Sequence, residues 1–182
     1  MVYNSWFLVK REKPETTNQR PGNHIFIVIG QKGVLCKGLV KGIVAMLLDL
    51  TSFEKAVASL EASIDAYSRK SAPEGSVEKE TMRDGVIQRF EYTFELSWKM
   101  IKRYLEMYSL EKPDGFTNKE LFRMGFEQGL IRDAEDWLEY HRNRNLTSHT
   151  YDEATAEEVH KAATGFLNDA VYLLKRLKEK TR

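Results

Sequence analysis

Hydrophobic residues recur every three or four positions over most of the chain beyond residue 46, which is the spacing of amphipathic helices. The first stripe of this kind consists of Phe53, Val57, Leu60, Ile64 and Tyr67. The second and longest consists of Ile87, Phe90, Phe94, Trp98, Ile101 and Leu105. The third consists of Val159, Ala163, Phe166, Ala170, Leu173 and Leu177. Each stripe predicts a helix that buries one face.

Breaks and N-cap residues divide the pattern into separate helices. The sequences "SAPEGS" and "EKPDG" interrupt it on either side of the second stripe. Residues suited to N-caps are Thr51, Thr117, Asp133 and Asp152. The two threonines are each followed by a glutamate three positions later, which predicts capping boxes. We therefore expect an all-α, up-and-down helical bundle of four main helices plus a short one that follows Thr117.

Residues 1–45 differ in character from residues 46–182. They hold five of the eleven glycines and show no sustained helical period. The apolar runs "IFIVI" and "VLC" flank "GQKG", a pattern that allows a β-hairpin, although two strands alone are only marginally stable. The sequence therefore predicts an atypical Gly-rich, basic N-terminal extension followed by one helical domain.

Composition and charge narrow the class of protein. Apolar residues make up 42% and charged residues 30%, which is typical of a globular protein. Cys36 is the only cysteine, so no intramolecular disulfide can form. No apolar run approaches the roughly 20 residues of a membrane span, and nothing near Met1 resembles a signal peptide. We expect a cytoplasmic protein that does not contact a membrane.

The net charge of +1 is unevenly distributed. Residues 1–45 hold seven Lys/Arg against two glutamates, a net of +5, whereas residues 46–182 hold 21 Lys/Arg against 25 Asp/Glu, a net of −4. Neutralised phosphates supply most of the affinity of proteins for nucleic acid. A net-negative helical domain is therefore expected to contact nucleic acid only locally.

The candidate chemistry lies in the stretch "HRNRNLTSHTYDE" at residues 141–153. Histidine side chains titrate near neutral pH, so His149 is a candidate acid or base. The forked donors of an arginine such as Arg144 suit a phosphate group. RNA carries its own nucleophile, the 2′-OH, so such a pair predicts metal-independent cleavage that leaves a cyclic phosphate. The alternative is structural, because the helix dipole alone favours Arg and His at a helix C-terminus.

The spacing of these two residues sets a geometric condition. On a straight helix, Arg144 and His149 would point about 140° apart. They can converge only if the helix stops between them or if two chains contribute to one site. Trp137 and His141, by contrast, share the helical face of Arg144.

Other polar residues are weaker candidates. Gln88, Glu91 and Glu95 lie beside the second stripe, where they would either orient the Arg or His or form a polar seam between helices. His141 would touch the site or serve as a hydrogen-bonded interface histidine, and His160 is expected on a solvated face. The sequence contains no HExxH and no paired cysteines, and no carboxylates have ligand spacing, so no metal or cofactor is predicted.

The sequence also resembles a known family. "RNLTSHTY" fits the pattern Arg-x4-His-x-Tyr, and it follows "IQRFEYTFELSWK" and "GLIRDAEDWLEY" in the order and spacing of the HEPN superfamily. Within it, residues 46–182 resemble the branch of nucleotidyltransferase substrate-binding proteins, also called HepT-like toxins. The resemblance implies a helical bundle that forms a homodimer, with the Arg and His motifs of both chains facing a shared cleft.

The same resemblance implies roles for particular residues. Arg144 and His149 would be the catalytic residues of a metal-independent endoribonuclease toxin, and Asn145 would support them. The partner would be a minimal nucleotidyltransferase that acts as antitoxin by transferring AMP to the motif tyrosine, Tyr151. An alternative view of this branch treats the protein as a non-catalytic subunit that binds a nucleotide or other substrate for the transferase.

Two features depart from the family pattern. Members of the branch begin near "MLLDLTSFEKA", so residues 1–45 are expected to be an appended segment, or upstream sequence translated from a misplaced start codon ahead of Met46. Arg142 adds a second arginine, which gives an Arg-x6-His alternative with the same His149.

Overall fold

The computed structural model describes residues 48–73, 75–110 and 113–181, which form five α-helices. In chain order the helices are α1 Thr51–Arg69, α2 Val77–Tyr108, α3 Asn118–Glu127, α4 Ala134–Leu146 and α5 Glu153–Lys180. One turn of 3-10 helix, Thr147–His149, connects α4 to α5. No strand occurs in these ranges. The prediction of four main helices plus a short one is confirmed, and the predictions made for residues 1–45 lie outside the described residues.

Helix α2 forms the centre of the bundle, since it packs against all four other helices and against the 3-10 turn. Its buried aromatic residues meet those of α3, α4 and α5 in one cluster. Phe94 lies 6.0 Å from Trp137 and 5.7 Å from Phe166 between ring centroids, and Phe90 meets Phe166 edge-on at 5.3 Å. Such tilted and edge-on pairs add specificity to the hydrophobic burial.

The three hydrophobic stripes are buried as the sequence predicts. Every residue of the third stripe is fully buried in α5. The second stripe is buried in α2 except for Trp98, which is half-buried with its indole Nε1 donating to Glu95 Oε2 at 3.2 Å. Ile64 and Tyr67, at the far end of α1, are partly buried. No described helix is both long and apolar enough to cross a membrane.

Three of the four predicted helix starts are confirmed. Thr117 and Glu120 form a complete capping box at the start of α3. Asp133 accepts hydrogen bonds from backbone N–H groups of α4, and Asp152 does the same for α5. These caps satisfy backbone donors that lack partners inside the helix.

The capping box predicted at Thr51 is wrong. Thr51 is itself the first helical residue, the N-cap is Leu50, and no side chain caps the helix there. Because Thr51 lies one position too late, its N–H instead donates to Asp49 Oδ1 at 2.9 Å. Glu54 is then available for tertiary contact, and its Oε1 lies 2.8 Å from Lys178 Nζ on α5.

Candidate active site

The motif Arg-x4-His-x-Tyr spans the junction between α4 and α5. Arg144 lies in the last turn of α4, and His149 ends the 3-10 turn that follows. Two hydroxyl groups bond to the backbone there: Thr147 Oγ1 donates to the Arg144 carbonyl at 2.8 Å, and Thr150 Oγ1 donates to the Thr147 carbonyl at 3.3 Å. The α-helix therefore ends between Arg144 and His149, which meets one of the two conditions set by their spacing.

Arg144 points towards α2, where two carboxylates receive it. Its Nε lies 2.8 Å from Glu95 Oε1, and its Nη2 lies 3.6 Å from Glu91 Oε1. The Nε–H vector does not have hydrogen-bond geometry with Glu95, so this contact is an ion pair. Nη1 donates a long hydrogen bond, 3.5 Å, to Oδ1 of the neighbouring Asn145. The Arg144 side chain as a whole has a relative exposure of 32%, although its Nε is buried, so part of it is accessible to a further anion.

His149 and Tyr151 lie side by side on the exposed surface of the junction. Their ring centroids are 6.2 Å apart and meet edge-on, and Tyr151 is 89% exposed. Within the described chain, no hydrogen bond or ion pair joins the side chains of Arg144 and His149. The fold therefore places the three motif residues on one junction without bringing the arginine and histidine into contact inside a single protomer.

Arg142 turns away from this surface. Its Nη2 donates to Glu139 and to Glu158 of α5, both at 2.6 Å. These bonds raise the pKa of the guanidinium, and the bond from Arg142 is the largest cause that lowers the pKa of Glu139. Since Arg142 is engaged with acids of α4 and α5, Arg144 is the motif arginine that faces α2.

His141 and Gln88 make no hydrogen bond to the motif residues within the described chain. His141 lies against α3, with its Nε2 2.8 Å from Asn118 Nδ2 and its ring 6.1 Å from that of Phe94. Because an amide nitrogen can only donate, the Nε2 of His141 accepts this bond. Gln88 is exposed on α2, and no hydrogen bond joins it to the motif within the described residues. Glu91, by contrast, is in contact with Arg144.

The prediction for His160 is corrected by the structure. It lies on α5 at an intermediate exposure, and its ring centroid is 4.3 Å from that of Tyr67 on α1. The neighbouring charges on α5 suggested a solvated face, but the long α1 helix covers this position. His160 therefore packs between helices.

Sequence reasoning missed Arg83, which is 7% exposed in α2 and donates two hydrogen bonds to Glu153 at the start of α5. The sequence did contain a signal for it. Arg83 lies four residues before Ile87, so it continues the second hydrophobic stripe and must face the core. A charged residue in that register requires a partner.

Tyr140, whose pKa is strongly raised, does not bond to the motif residues. Burial and the bond that its hydroxyl donates to Asp169 Oδ2 at 2.8 Å raise the pKa of this tyrosine. Arg132 Nη2 donates to the other oxygen of the same carboxylate at 2.8 Å. This network joins α4 to α5 and is structural. No group of three or more His, Cys, Asp and Glu side chains suited to a metal ion was found among the described residues.

Comparisons with known proteins agree with this architecture. A family model described as "Nucleotidyltransferase substrate binding protein like" matches residues 48–179. A probable ribonuclease HepT from Haemophilus influenzae is 33% identical over 139 residues, which cover 74% of this chain and 95% of the relative.

Two solved structures are similar in fold. One, from Haemophilus influenzae, is described as revealing the fold of a substrate binding domain of a nucleotidyltransferase. It has a TM-score of 0.67 and 34% identity, covering 71% of this chain and 99% of that chain. The other is a crystal structure of a protein from Thermus thermophilus, with a TM-score of 0.56 and 33% identity, covering 69% of this chain and 98% of that chain.

The fold and the junction together define a helical-bundle protein that carries an Arg-x4-His-x-Tyr motif between its last two helices. The chain belongs to the nucleotidyltransferase substrate-binding protein family, in the HepT-like branch of the HEPN superfamily. The family resemblance of the sequence is thereby confirmed.

Proposed function

We propose that this protein is a metal-independent endoribonuclease, the toxin component of a toxin–antitoxin pair with a minimal nucleotidyltransferase. The observation that carries the proposal is the position of His149, whose exposed imidazole directly follows the end of the helix that bears Arg144. The relative named as a probable ribonuclease supports an activity on RNA.

The proposed reaction uses the 2′-OH of RNA as nucleophile. Arg144 binds the phosphodiester, and Asn145 steadies the guanidinium through its Oδ1. His149 removes the proton of the 2′-OH while O2′ bonds to phosphorus and the bond from phosphorus to O5′ breaks. O5′ receives a proton, so the products carry a 2′,3′-cyclic phosphate and a 5′-hydroxyl group.

A homodimer would complete this site. In one protomer Arg144 is directed to Glu91 and Glu95, and no hydrogen bond or ion pair joins it to His149 within the described residues. Two copies arranged with their junctions face to face would offer two arginines and two histidines to one phosphodiester. One imidazole would then act as base and the other as acid, which a single protomer does not provide.

The proposed control of activity is adenylylation of Tyr151. With 89% of its surface exposed, this tyrosine is accessible to a partner enzyme. Its Oη would attack the α-phosphorus of ATP and displace pyrophosphate, which leaves AMP joined to the ring through a phosphodiester. The new negative charge and bulk lie two residues from His149, where the RNA phosphate would otherwise bind. The partners in the cytoplasm are then the transferase, RNA and a second copy of this chain.

A second function is favoured by one feature of the site. Arg144 already has two carboxylate partners, so its attraction for an RNA phosphate is reduced. A non-catalytic subunit that binds a nucleotide or other substrate for a nucleotidyltransferase would tolerate this arrangement. The description of the structural neighbour from Haemophilus influenzae fits that alternative.

RNA cleavage by the purified protein in EDTA tests the proposal. Tyr151 is first shown by mass spectrometry to be unmodified, and His149→Ala is compared with Ser148→Ala, an exposed neighbour on the same turn. We expect cyclic-phosphate ends from the native protein and from the control. In His149→Ala the cleavage rate should fall by at least about 100-fold. Equal cleavage by His149→Ala would refute the proposed role. An absence of cleavage in every sample would favour the substrate-binding alternative, to be followed by nucleotide affinity measurements.

A further inference from the structure

Arg83 is the one charged residue that is buried among the described parts of the chain. Both of its terminal nitrogens donate to Glu153, with Nη2 2.8 Å from Oε2 and Nη1 bonded to Oε1. Glu153 is the first residue of α5, directly after the N-cap Asp152. The hydrogen bond from Arg83 is also the main reason that the pKa of Glu153 is lowered. The pair therefore ties the start of α5 to the side of α2.

The side chains of residues 147–151, which carry His149 and Tyr151, make no hydrogen bond or ion pair to a distant part of the described chain. Its hydroxyl groups bond only to carbonyls three residues back, and the N–H of Asp152 donates to the His149 carbonyl at 3.2 Å. No residue of the 3-10 turn is buried. Hydrogen bonds of this local kind shape a turn but do not fix its position on the protein.

Two ion pairs join the junction to α2, one on each side, and Arg142 joins the two sides to each other through Glu158. Arg144 pairs with Glu95 before the turn, and Glu153 pairs with Arg83 after it. Both partners lie on α2, twelve residues apart, which corresponds to about 18 Å along the helix axis. The two ion pairs have opposite polarity, since α2 provides the negative residue, Glu95, in one and the positive residue, Arg83, in the other.

Hydrophobic packing fixes the middle of α5, where Phe166 is fully buried against Phe90 and Phe94, but the start of the helix buries only small residues. Ala156 and Val159 are fully buried there, and their small side chains bury less apolar surface than Phe166 does. A second glutamate, Glu157, lies one turn after Glu153 on α5, and its Oε2 is 3.7 Å from Arg83 Nη1. The Arg83 side chain is only 8% exposed, so loss of the Glu153 carboxylate leaves a buried guanidinium without its two-point partner. The two-point bond makes Glu153, rather than Glu157, the main partner of Arg83.

We propose that Arg83 and Glu153 are positioning residues, which fasten the start of α5 to α2 and thereby hold His149 and Tyr151 in place for cleavage and for adenylylation. The catalytic consequence rests on the proposed function, whereas the effect on the junction itself does not. Neither residue contacts the RNA in this scheme.

The test compares two matched variants, Glu153→Gln and Glu157→Gln, in the full-length protein. Each removes one negative charge from an exposed glutamate of α5, with side-chain exposures of 71% and 63%, one turn apart. Amide hydrogen exchange is measured for residues 147–155, together with kcat and KM for RNA cleavage. For Glu153→Gln we expect exchange about tenfold faster and kcat about tenfold lower, with KM within about twofold because Arg144 is unaffected. Glu157→Gln should match the native protein in each quantity.

Arg83→Lys provides a second comparison, because it keeps the positive charge but loses the planar fork. It should resemble Glu153→Gln in exchange and in kcat. Native behaviour of Arg83→Lys, or equal protection of the junction in both glutamine variants, would overturn the inference.

The two proposals fail in different ways. If the native protein cleaves no RNA, the proposed function fails, and the exchange comparison still decides whether Glu153 holds the junction. If the native protein cleaves RNA and Glu153→Gln keeps the native kcat and native exchange, the positioning role is wrong while the ribonuclease function stands.

Discussion

The carboxylate of Glu95 lies 2.8 Å from the Nε of Arg144, so the motif arginine is held by the helix against which it packs. Glu91 adds a second carboxylate at 3.6 Å. These contacts draw the guanidinium towards α2, and at the same time they place two negative charges beside a residue proposed to bind phosphate. Orientation and anion affinity are therefore in opposition at this site.

Glu95→Gln should separate these two effects. Loss of the charge removes repulsion of the RNA phosphate, so KM should fall by about threefold, while the poorly oriented guanidinium lowers kcat by about tenfold. Glu91→Gln, which removes the more distant partner, should change kcat by less than about threefold. Steady-state cleavage of one defined RNA measures both constants. An unchanged kcat in Glu95→Gln would show that the ion pair does not orient Arg144.

Tyr151→Phe should block silencing without abolishing cleavage. The ring is retained and only the acceptor oxygen is lost, so we expect kcat within about threefold of the native value and no AMP-sized mass addition after incubation with ATP and the transferase. Tyr108→Phe is the matched control, because Tyr108 is also exposed, at 45%, and lies at the C-terminal end of α2. This variant should still gain the AMP-sized mass. Persistent modification of Tyr151→Phe would place the acceptor elsewhere.

The carboxyl groups at the helix N-termini predict that the stability of the fold decreases in acid. A backbone hydrogen bond from Thr117 lowers the pKa of Glu120, a side-chain bond from Thr155 lowers that of Asp152, and Arg83 lowers that of Glu153.

Since these carboxyl groups have lower pKa values in the folded state than in the unfolded chain, they stabilise the fold fully above about pH 5. That contribution is lost as the pH falls through the folded-state values. The melting temperature should be level from pH 7 to about pH 5 and decline below about pH 4.5. The decline should be shallower in Glu153→Gln. Melting curves that stay level down to about pH 3 would contradict this expectation.

Phe166 should be a principal determinant of stability. It is fully buried, and its ring lies within 5.7 Å of those of Phe90, Phe94 and Trp137, measured between centroids. Phe166→Ala should lower the free energy of unfolding by about 3–5 kcal/mol. Val171→Ala, at a site on the same helix that is 45% exposed, should change it by less than about 0.5 kcal/mol. Urea unfolding followed by circular dichroism gives both values, and a small loss for Phe166→Ala would mean that the cavity collapses.

Local patterns in the sequence were sufficient for most of the fold. The period of the apolar stripes identified the buried face of each long helix, and short-range caps such as Thr117 with Glu120 identified where helices begin. These predictions succeed because periodicity and capping depend on neighbours within one turn. The failure at Thr51 was a shift of one position, which local chemistry does not resolve when Asp49 can supply the acceptor instead.

The sequence by itself determined the class of fold, the buried faces and the stretch that carries the candidate chemistry. Each of these depends on residue types a few positions apart in the chain. Only the tertiary structure decided that Arg144 faces Glu95 while Arg142 turns to Glu158, and that Arg83 reaches Glu153. Those pairings join residues 16 to 70 positions apart. No periodic pattern encodes them, because they depend on how whole helices pack against one another.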